Sequence, residues 1–186
     1  MPLIIASIKN QESLGTTATT FTEDIRFGYN VTAFHLNVFA LKASATAATV
    51  QNLVDKITRV KLNTLNGTPE STIDTDDLFD MNSQIWGIPR YTSVLTSTDN
   101  IPHAFGVTVP LSAQPQDPTK NFGMPAGQGV QFVYDTAADV TGDFDNYTTD
   151  LTVEGLDSSD KPNSLGYLRY QQDSFTASAV GEVRET

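Results

Sequence analysis

Hydrophobic and polar residues alternate with a period of two along much of this chain, most clearly over residues 31–41. One predicted face of that run carries large apolar side chains, from Phe34, Leu36 and Val38. The other face carries smaller or more polar side chains and one aromatic ring, from Ala33, His35, Asn37 and Phe39. This alternation predicts a β-strand with one buried face.

Shorter stretches with the same alternation predict further strands. They cover residues 3–8, 16–27, 57–62, 69–73, 91–95, 104–111, 130–134, 148–156 and 165–175. The first stretch fits either an arm or an edge strand. Turn residues separate the predicted strands, and among them Asn66-Gly67 predicts a two-residue hairpin turn.

One segment has helical spacing instead. Thr75 is a candidate N-cap, and Asp76 and Asp77 follow it in the first turn, where acidic side chains complement the helix dipole. We therefore predict one short helix near Thr75–Gln84. The small side chains of residues 43–50 predict an irregular connector.

This succession of short strands and turns predicts an all-β fold, a single jelly-roll β-sandwich with about eight main strands and one short helix. We place an N-terminal arm at residues 1–15, the jelly-roll domain at 16–176 and a C-terminal tail at 177–186. The predicted core takes alternate residues of the strands: Phe34, Leu36, Val38, Val60, Leu62, Val107, Val109, Phe132 and Val153.

Composition and charge mainly exclude classes of functional site and of binding partner. The 186 residues include no cysteine, which excludes disulfides, thiol catalysis and cysteine-ligated metals. The net charge of −11 argues against binding to nucleic-acid phosphates. Residues 1–66 contain six bases and four acids, whereas residues 67–186 contain five bases and eighteen acids. Either acids cluster by chance in solvated loops, or the later segment faces water and the earlier one meets a partner.

Two acidic clusters are candidate chemical sites. Asp143, Asp145 and Asp150, with Asp139 nearby, offer oxygen ligands for a cation. Their segment lacks the glycine and the distal glutamate of an EF-hand loop, so a solvated acidic loop is the favoured interpretation. The second cluster surrounds the predicted helix start, where capping and dipole complementarity explain it. Its members are Asp74, Asp76, Asp77 and Asp80.

The remaining candidates also have structural explanations. His35 is expected to be packed or at an interface, His103 to begin a strand, and Trp86 to anchor the core. Neither histidine has a nucleophile or acid beside it in a catalytic sequence frame. Three Asn-x-Thr sequences, at Asn30, Asn66 and Asn146, are expected by chance in a threonine-rich chain. We therefore assign no catalytic residue, no cofactor and no metal site.

Several segments together resemble coat proteins of tailless icosahedral viruses with an internal membrane. In chain order they are the strand and turn 57–67, the acidic helix 73–82, the strand 104–111, the turn 121–126, and the strands 130–135 and 149–156. A chain of this length holds one sandwich. In this respect it is similar to the smaller major capsid protein of the single, vertical jelly-roll group, found in haloarchaeal viruses and a Thermus phage.

The resemblance implies a structural protein of the virion, a major capsid protein of an icosahedral shell. It implies pseudo-hexameric capsomers built from copies of this chain and a second, larger capsid protein, above an internal viral membrane surface. It implies no enzyme activity, no nucleic-acid partner and no small-molecule substrate. The low lysine content and the acidity favour the halophilic branch. The alternative is a jelly-roll carbohydrate-binding module or lectin-like surface protein, which predicts a row of exposed aromatic side chains.

Overall fold

A computed structural model describes residues 3–43, 48, 50–84, 87, 101–111, 129–138 and 143–156. These residues form eight strands and two short helices. In chain order they are β1 (Leu3–Ser13), β2 (Thr19–Arg26), β3 (Asn30–Lys42), α1 (Val50–Val54), β4 (Ile57–Thr64), β5 (Pro69–Asp74), α2 (Thr75–Gln84), β6 (Pro102–Pro110), β7 (Gly129–Thr136) and β8 (Phe144–Leu156).

The strands form two four-stranded antiparallel sheets, in the orders β1-β8-β3-β6 and β2-β7-β4-β5. Four antiparallel ribbons underlie them, pairing β1 with β8, β2 with β7, β3 with β6 and β4 with β5. The pairings of β3 with β8 and of β4 with β7 join the ribbons into sheets. Nested ribbons wound around one core are a jelly roll. The predicted jelly-roll sandwich is thereby confirmed.

The core lies between the two sheets. All nine core residues predicted from alternation are buried there. Aromatic rings connect the sheets, because Phe34 of β3 lies 5.2 Å, centroid to centroid, from Phe132 of β7. Phe27 extends this stack, 5.9 Å from Phe34. Ring pairs at such separations contribute beyond the area they bury.

A β-bulge in β4 brings its apolar side chains into phase. Ile57 pairs with Thr136 and the next pair joins Arg59 to Asp135, so Thr58 is an extra residue. Ile57 and Val60 are three positions apart and would face opposite sides of a regular strand. The bulge lets both point into the core.

The hairpin between β4 and β5 is closed by a three-residue loop, 65–67, between the hydrogen-bonded residues Thr64 and Thr68, instead of the predicted two-residue turn. The Gly67 amide donates to the Thr64 carbonyl at 2.8 Å, and the Thr64 amide donates to the Thr68 carbonyl at 2.8 Å. Gly67 has φ +80°, which a glycine adopts without strain. Asn-Gly therefore marks the hairpin correctly, but its glycine occupies the last position of a longer loop.

Helix α2 matches the prediction in its bounds and in its acidic first turn. The predicted cap is wrong, because the Thr75 hydroxyl is buried without a hydrogen-bond partner among the described residues. The residue before the helix is Asp74, whose carboxylate accepts a hydrogen bond from Arg59 Nε at 2.8 Å. Thr75 is thus a buried first residue of α2 and not its cap.

A second helix, α1, begins at the end of the predicted connector, so the prediction of one helix is corrected to two. One turn is too short to show a helical period in the sequence. Such a short helix depends on tertiary packing for its stability. Leu53 and Val54 provide that packing, because both are buried in the core.

The segment predicted as an arm or an edge strand is the edge strand β1. Its backbone pairs with β8 from Leu3 opposite Leu156 to Ser13 opposite Thr148. Residues 3–13, placed within the predicted arm 1–15, therefore belong to the sandwich.

Some sequence predictions lie outside the described residues. They are the strands at 91–95 and 165–175, the turn 121–126, the core anchor Trp86, the candidate ligand Asp139 and the tail at 177–186. The C-terminal limit of the domain, at residue 176, therefore stays a prediction.

Truncating either of two side chains on the inner faces should lower the free energy of unfolding. We expect Leu36→Ala and Phe132→Ala each to cost about 2–5 kcal/mol, because each leaves a cavity in the core. Urea unfolding followed by circular dichroism measures the cost. The exposed Thr22→Ala on β2 should stay within about 0.5 kcal/mol of the parent protein. Unchanged urea midpoints in both core variants would contradict the assignment of the inner faces.

Candidate functional site

The structure describes three of the acidic candidates for a cation site, Asp143, Asp145 and Asp150, whereas Asp139 lies outside the described residues. Among the described residues, no three histidine, aspartate or glutamate side chains come together in a way that could hold a metal ion. Asp145 lies exposed near the start of β8. Asp150, further along that strand, accepts a hydrogen bond from the backbone amide of Gln11 at 2.6 Å. Gln11 has φ +52° within an irregular part of β1. Asp150 therefore stabilises a backbone irregularity in the neighbouring strand.

The acids at the start of α2 have structural partners. Asp76 accepts a hydrogen bond from Gln51 Nε2 at 2.7 Å, which ties α2 to α1. Asp74 is paired with Arg59 of β4, and this hydrogen bond raises the pKa of the guanidinium. The first contact joins the two helices, and the second joins β5 to β4 directly before α2 begins, in addition to the predicted dipole complementarity.

His35 lies at the centre of a polar chain on the outer face of the β1-β8-β3-β6 sheet. Its Nδ1 lies 3.0 Å from Thr108 Oγ1, and its Nε2 lies 3.4 Å from Glu154 Oε2. The Thr32 hydroxyl donates to the other Glu154 oxygen at 3.1 Å. The hydrogen bond from His35 lowers the pKa of Glu154 and outweighs partial burial, which acts in the opposite direction. The chain links β3, β6 and β8 across the sheet.

Hydroxyl, imidazole and carboxylate in this order also make up the triad of many hydrolases. Here the backbone amide of Thr108, the natural candidate for an oxyanion donor, donates to Asn82 Oδ1 at 2.6 Å. The amide is therefore already engaged in the fold. The geometry favours a structural link between strands over a nucleophilic centre.

His103 lies in β6 near its start, as predicted, and its ring is buried edge-on against Phe144 at 6.0 Å between centroids. Burial lowers its pKa, and the nearby positive charge of Lys42 acts in the same direction. The imidazole is therefore held neutral as a packed core side chain.

A second polar cluster joins the two sheets where their edge strands β1 and β2 meet. Lys9 Nζ lies 2.8 Å from Glu23 Oε1 and 3.4 Å from Glu12 Oε1. The hydrogen bond to Glu23 is the main cause that raises the pKa of Lys9. Glu12 also accepts a hydrogen bond from the buried Tyr134 hydroxyl at 3.2 Å, and Phe21 stacks on that ring at 5.0 Å. The cluster links β1, β2 and β7 at this side of the sandwich.

The basic residues of the earlier segment are largely used inside the fold. Lys42 and Lys56 are buried, and Lys56 Nζ donates to the carbonyls of Gly15 at 3.0 Å and Ala137 at 2.9 Å. The same ammonium lies 4.6 Å from the centroid of the Tyr147 ring. These two bases of residues 1–66 therefore lie inside the fold and do not face a partner.

The three Asn-x-Thr sequences differ in access. Asn30 is buried in β3, so it is closed to modification in the folded chain. Asn66 and Asn146 are exposed, in the β4–β5 loop and in β8.

The outer faces of the two sheets have different chemistry. The outer face of β2-β7-β4-β5 is ionic, with Arg59 paired to Asp74 at 2.8 Å and Lys61 paired to Asp135 at 2.5 Å. We call it the charged face; its ionisable side chains are Asp24, Arg26, Arg59, Lys61, Glu70, Asp74 and Asp135. Burial acts to raise the pKa of Asp135, but its bonds to Lys61 and Thr20 outweigh this and lower it.

The outer face of β1-β8-β3-β6 is dominated by small uncharged side chains, and we call it the neutral face. Its side chains are those of Ile5, Ser7, His35, Asn37, Phe39, Leu41, Ala104, Gly106, Thr108, Asp145, Thr148, Asp150, Thr152 and Glu154. Ile5 is 67% exposed and Phe39 is 39% exposed. They are the large apolar side chains that the described residues expose most, and both lie on this face.

Helix α2 closes part of the β6 edge of the neutral-face sheet. Asn82 Nδ2 donates to the Thr108 carbonyl at 2.8 Å, while Asn82 Oδ1 accepts from the Thr108 amide at 2.6 Å. The side-chain amide thus replaces the two hydrogen bonds that a neighbouring strand would make. Edge strands covered in this way do not pair with other chains.

No protein-family model matches this sequence, and no curated protein matches it. Solved structures do share its architecture. The crystal structure of the STIV MCP aligns with a TM-score of 0.60 and 13% identity, over 84% of this chain and 49% of that chain. The PBCV-1 virus capsid aligns with a TM-score of 0.54 and 14% identity, over 85% of this chain and 43% of that one. This chain has the fold of viral capsid jelly rolls.

A third structure, PBCV-1 VP54 fitted into a reconstruction of the virophage Sputnik, gives a TM-score of 0.55 and 15% identity. It covers 83% of this chain and 42% of that chain. The chain therefore spans less than half the length of these capsid proteins. Within the described residues, no helix has both the length and the apolar character needed to cross a membrane.

The sequence predicts that His35 is packed or at an interface, but it does not reveal the polar network around this side chain. The partners lie 73 residues away at Thr108 and far along the chain at Glu154. Only the register of β3 against β6 and β8 brings them together. Alternation alone places each of them on an outer face, but it does not set that register.

Acid should weaken the fold as Glu154 takes up a proton. Because its pKa is lowered in the folded state, the stabilisation is complete above the ordinary value of 4.5 and is lost as pH falls through the lower folded value. Urea unfolding between about pH 7 and about pH 3 measures this loss. Glu154→Gln should be less stable than the parent protein near neutral pH and should show a smaller decline in acid.

Asp24→Asn, which removes an exposed carboxylate from the charged face, is the matched control. In this variant the loss of unfolding free energy that Glu154 causes on acidification should equal that of the parent protein. An identical decline in Glu154→Gln and the parent protein would show that this carboxylate does not stabilise the fold.

Proposed function

We propose that this chain is a structural protein of the virion, a capsid protein that packs beside copies of itself in an icosahedral shell. The observation that carries the proposal is the similarity of the fold to viral capsid proteins, which extends over more than four fifths of this chain. The proposal assigns no catalytic residue and no cofactor, in keeping with the structural use of His35, Glu154 and Thr108.

The finer assignment is to the smaller major capsid protein of a single-jelly-roll virus. Pseudo-hexameric capsomers would then form from this chain and a second, larger capsid protein, over an internal membrane surface. Size supports this, since the chain corresponds to less than half of each capsid protein it aligns with.

Charge also supports a role in a protein shell in contact with water. The chain carries a net charge of −11, and five of the six bases in residues 1–66 are buried or paired with acids. Such a surface repels nucleic-acid phosphates. The acidity fits a halophilic host, where salt screens repulsion between neighbouring copies.

The carbohydrate-binding alternative needs a planar row of exposed aromatic rings. Among the described residues, Phe39 is the aromatic side chain exposed by more than a third. A single ring on a face of threonine and asparagine side chains gives the alternative little support.

The proposal predicts salt-dependent self-association. The Debye length is about 30 Å at 0.01 M salt and about 3 Å at 1 M, so molar salt removes most repulsion between acidic neighbours. Apolar contacts survive or strengthen in high salt. Sedimentation of the purified chain, with and without its particle partners, should show assemblies in molar monovalent salt that loosen on dialysis to millimolar salt.

Sucrose at equal osmolality is the control. Because it leaves the charges unscreened, the chain should not assemble in sucrose without salt. A chain that stays monomeric at every salt and protein concentration, and also with its particle partners present, would refute the proposed function.

A further inference from the structure

The loop between β4 and β5 contains the one Asn-Gly pair of this sequence, Asn66-Gly67. An Asn-Gly pair in a flexible chain loses its side-chain amide spontaneously. Glycine has no side chain that hinders attack by its backbone nitrogen on the neighbouring side-chain carbonyl carbon, and it leaves the backbone free to rotate. Both residues are exposed, so water reaches them. The structure of the loop therefore decides whether this pair reacts.

The reaction needs only the chain and water. A bond forms between the Gly67 backbone nitrogen and Asn66 Cγ, and the bond from Cγ to the side-chain nitrogen breaks. That nitrogen leaves as ammonia and takes up the proton of the Gly67 amide, and a succinimide ring remains. Water then opens the ring at either carbonyl, which leaves aspartate or isoaspartate at position 66.

We propose that Asn66 is a latent deamidation site, which the folded β4–β5 hairpin keeps unreacted. The attacking nitrogen is that of Gly67, and its N–H donates to the Thr64 carbonyl at 2.8 Å. Attack requires the loss of this proton, and the nitrogen of the succinimide carries no hydrogen. The hydrogen bond must therefore break before the ring can form. The inference is independent of the proposed function.

Two further hydrogen bonds close the base of the loop. The Thr64 amide donates to the Thr68 carbonyl at 2.8 Å, and the Thr68 amide donates to Thr64 Oγ1 at 3.1 Å. Thr64 thus holds the loop through its carbonyl, its amide and its hydroxyl. Ring formation fixes the backbone angle ψ of Asn66 at the value that the ring imposes. The loop, whose shape is set at its base, opposes this change.

Packing holds the same loop against the sheet. Leu65 lies over Gly129 at the start of β7, where a Cβ on residue 129 would clash with Leu65 Cδ1. The absence of a side chain at Gly129 leaves the space that the leucine occupies. Asn66 therefore lies between a packed residue and a hydrogen-bonded one. We expect the pair to react in molecules whose hairpin has opened.

A comparison of the folded and the urea-unfolded chain tests the inference without any substitution. Both are incubated in the same mildly alkaline buffer, and peptide mass spectrometry measures deamidation at residue 66. We expect the folded chain to react at least about tenfold more slowly, which corresponds to about 1.4 kcal/mol. Urea below the unfolding transition is the control and should leave the slow rate unchanged. Equal rates in the folded and the unfolded chain would overturn the inference.

A pair of variants at Thr64 tests the part played by the base of the loop. Thr64→Ala removes the hydroxyl that accepts from the Thr68 amide, and it leaves Asn66-Gly67 unchanged. In the folded state it should deamidate at least about threefold faster than the parent protein, as expected for the loss of one hydrogen bond. Thr64→Ser keeps the hydroxyl and should react at close to the parent rate.

The unfolded state separates protection by the fold from a change in intrinsic reactivity. In urea the parent protein and both variants should deamidate at the same rate, because the hairpin is absent from all three. Circular dichroism without urea confirms that each variant is folded. A folded Thr64→Ala that reacts no faster than the parent protein would contradict protection by the base of the loop.

Discussion

The contact between Phe34 and Phe132 lies where the two sheets must meet. Each sheet has one apolar face, and water is excluded from both only if the faces are buried against each other. The centroid distance of 5.2 Å between these rings marks that closure. The four ribbons are wound around this core. Because side chains alternate along a strand, burying one residue in the core turns its neighbour to the outer face.

The polar networks follow from the same constraint. Alternation that buries Phe34 and Leu36 turns His35 outward, where Thr108 and Glu154 lie opposite it on β6 and β8. Alternation on β2 turns Glu23 inward at the open side of the sandwich, where Lys9 compensates its charge. Ionisable groups near the core are thus accepted where a neighbouring strand supplies the partner, since an unpaired charge would be costly there.

Most strands could be predicted because the alternation of apolar and polar residues is visible within each strand's own sequence. Residues 31–41 and the nine core positions could be assigned because each strand shows its buried face in its own sequence. The bulge at Thr58 and the helix α1 could not, because a single extra residue and a single helical turn leave no period. The link between Asn82 and Thr108, like the His35 network, depends on how distant segments dock. The wrong prediction of a cap at Thr75 has a different cause. Threonine commonly caps helices, but the hydroxyl of this one is buried without a hydrogen-bond partner among the described residues.

As a capsid protein, this chain would be a repeated building block of a virus shell. Quantitative mass spectrometry of density-purified particles, from a culture that carries this sequence, tests it most directly. The account predicts that peptides of this chain are among the most abundant in the particle, at a molar amount comparable to that of a second, larger shell protein. Trace amounts in intact particles, or recovery only in the soluble host fraction, would contradict it.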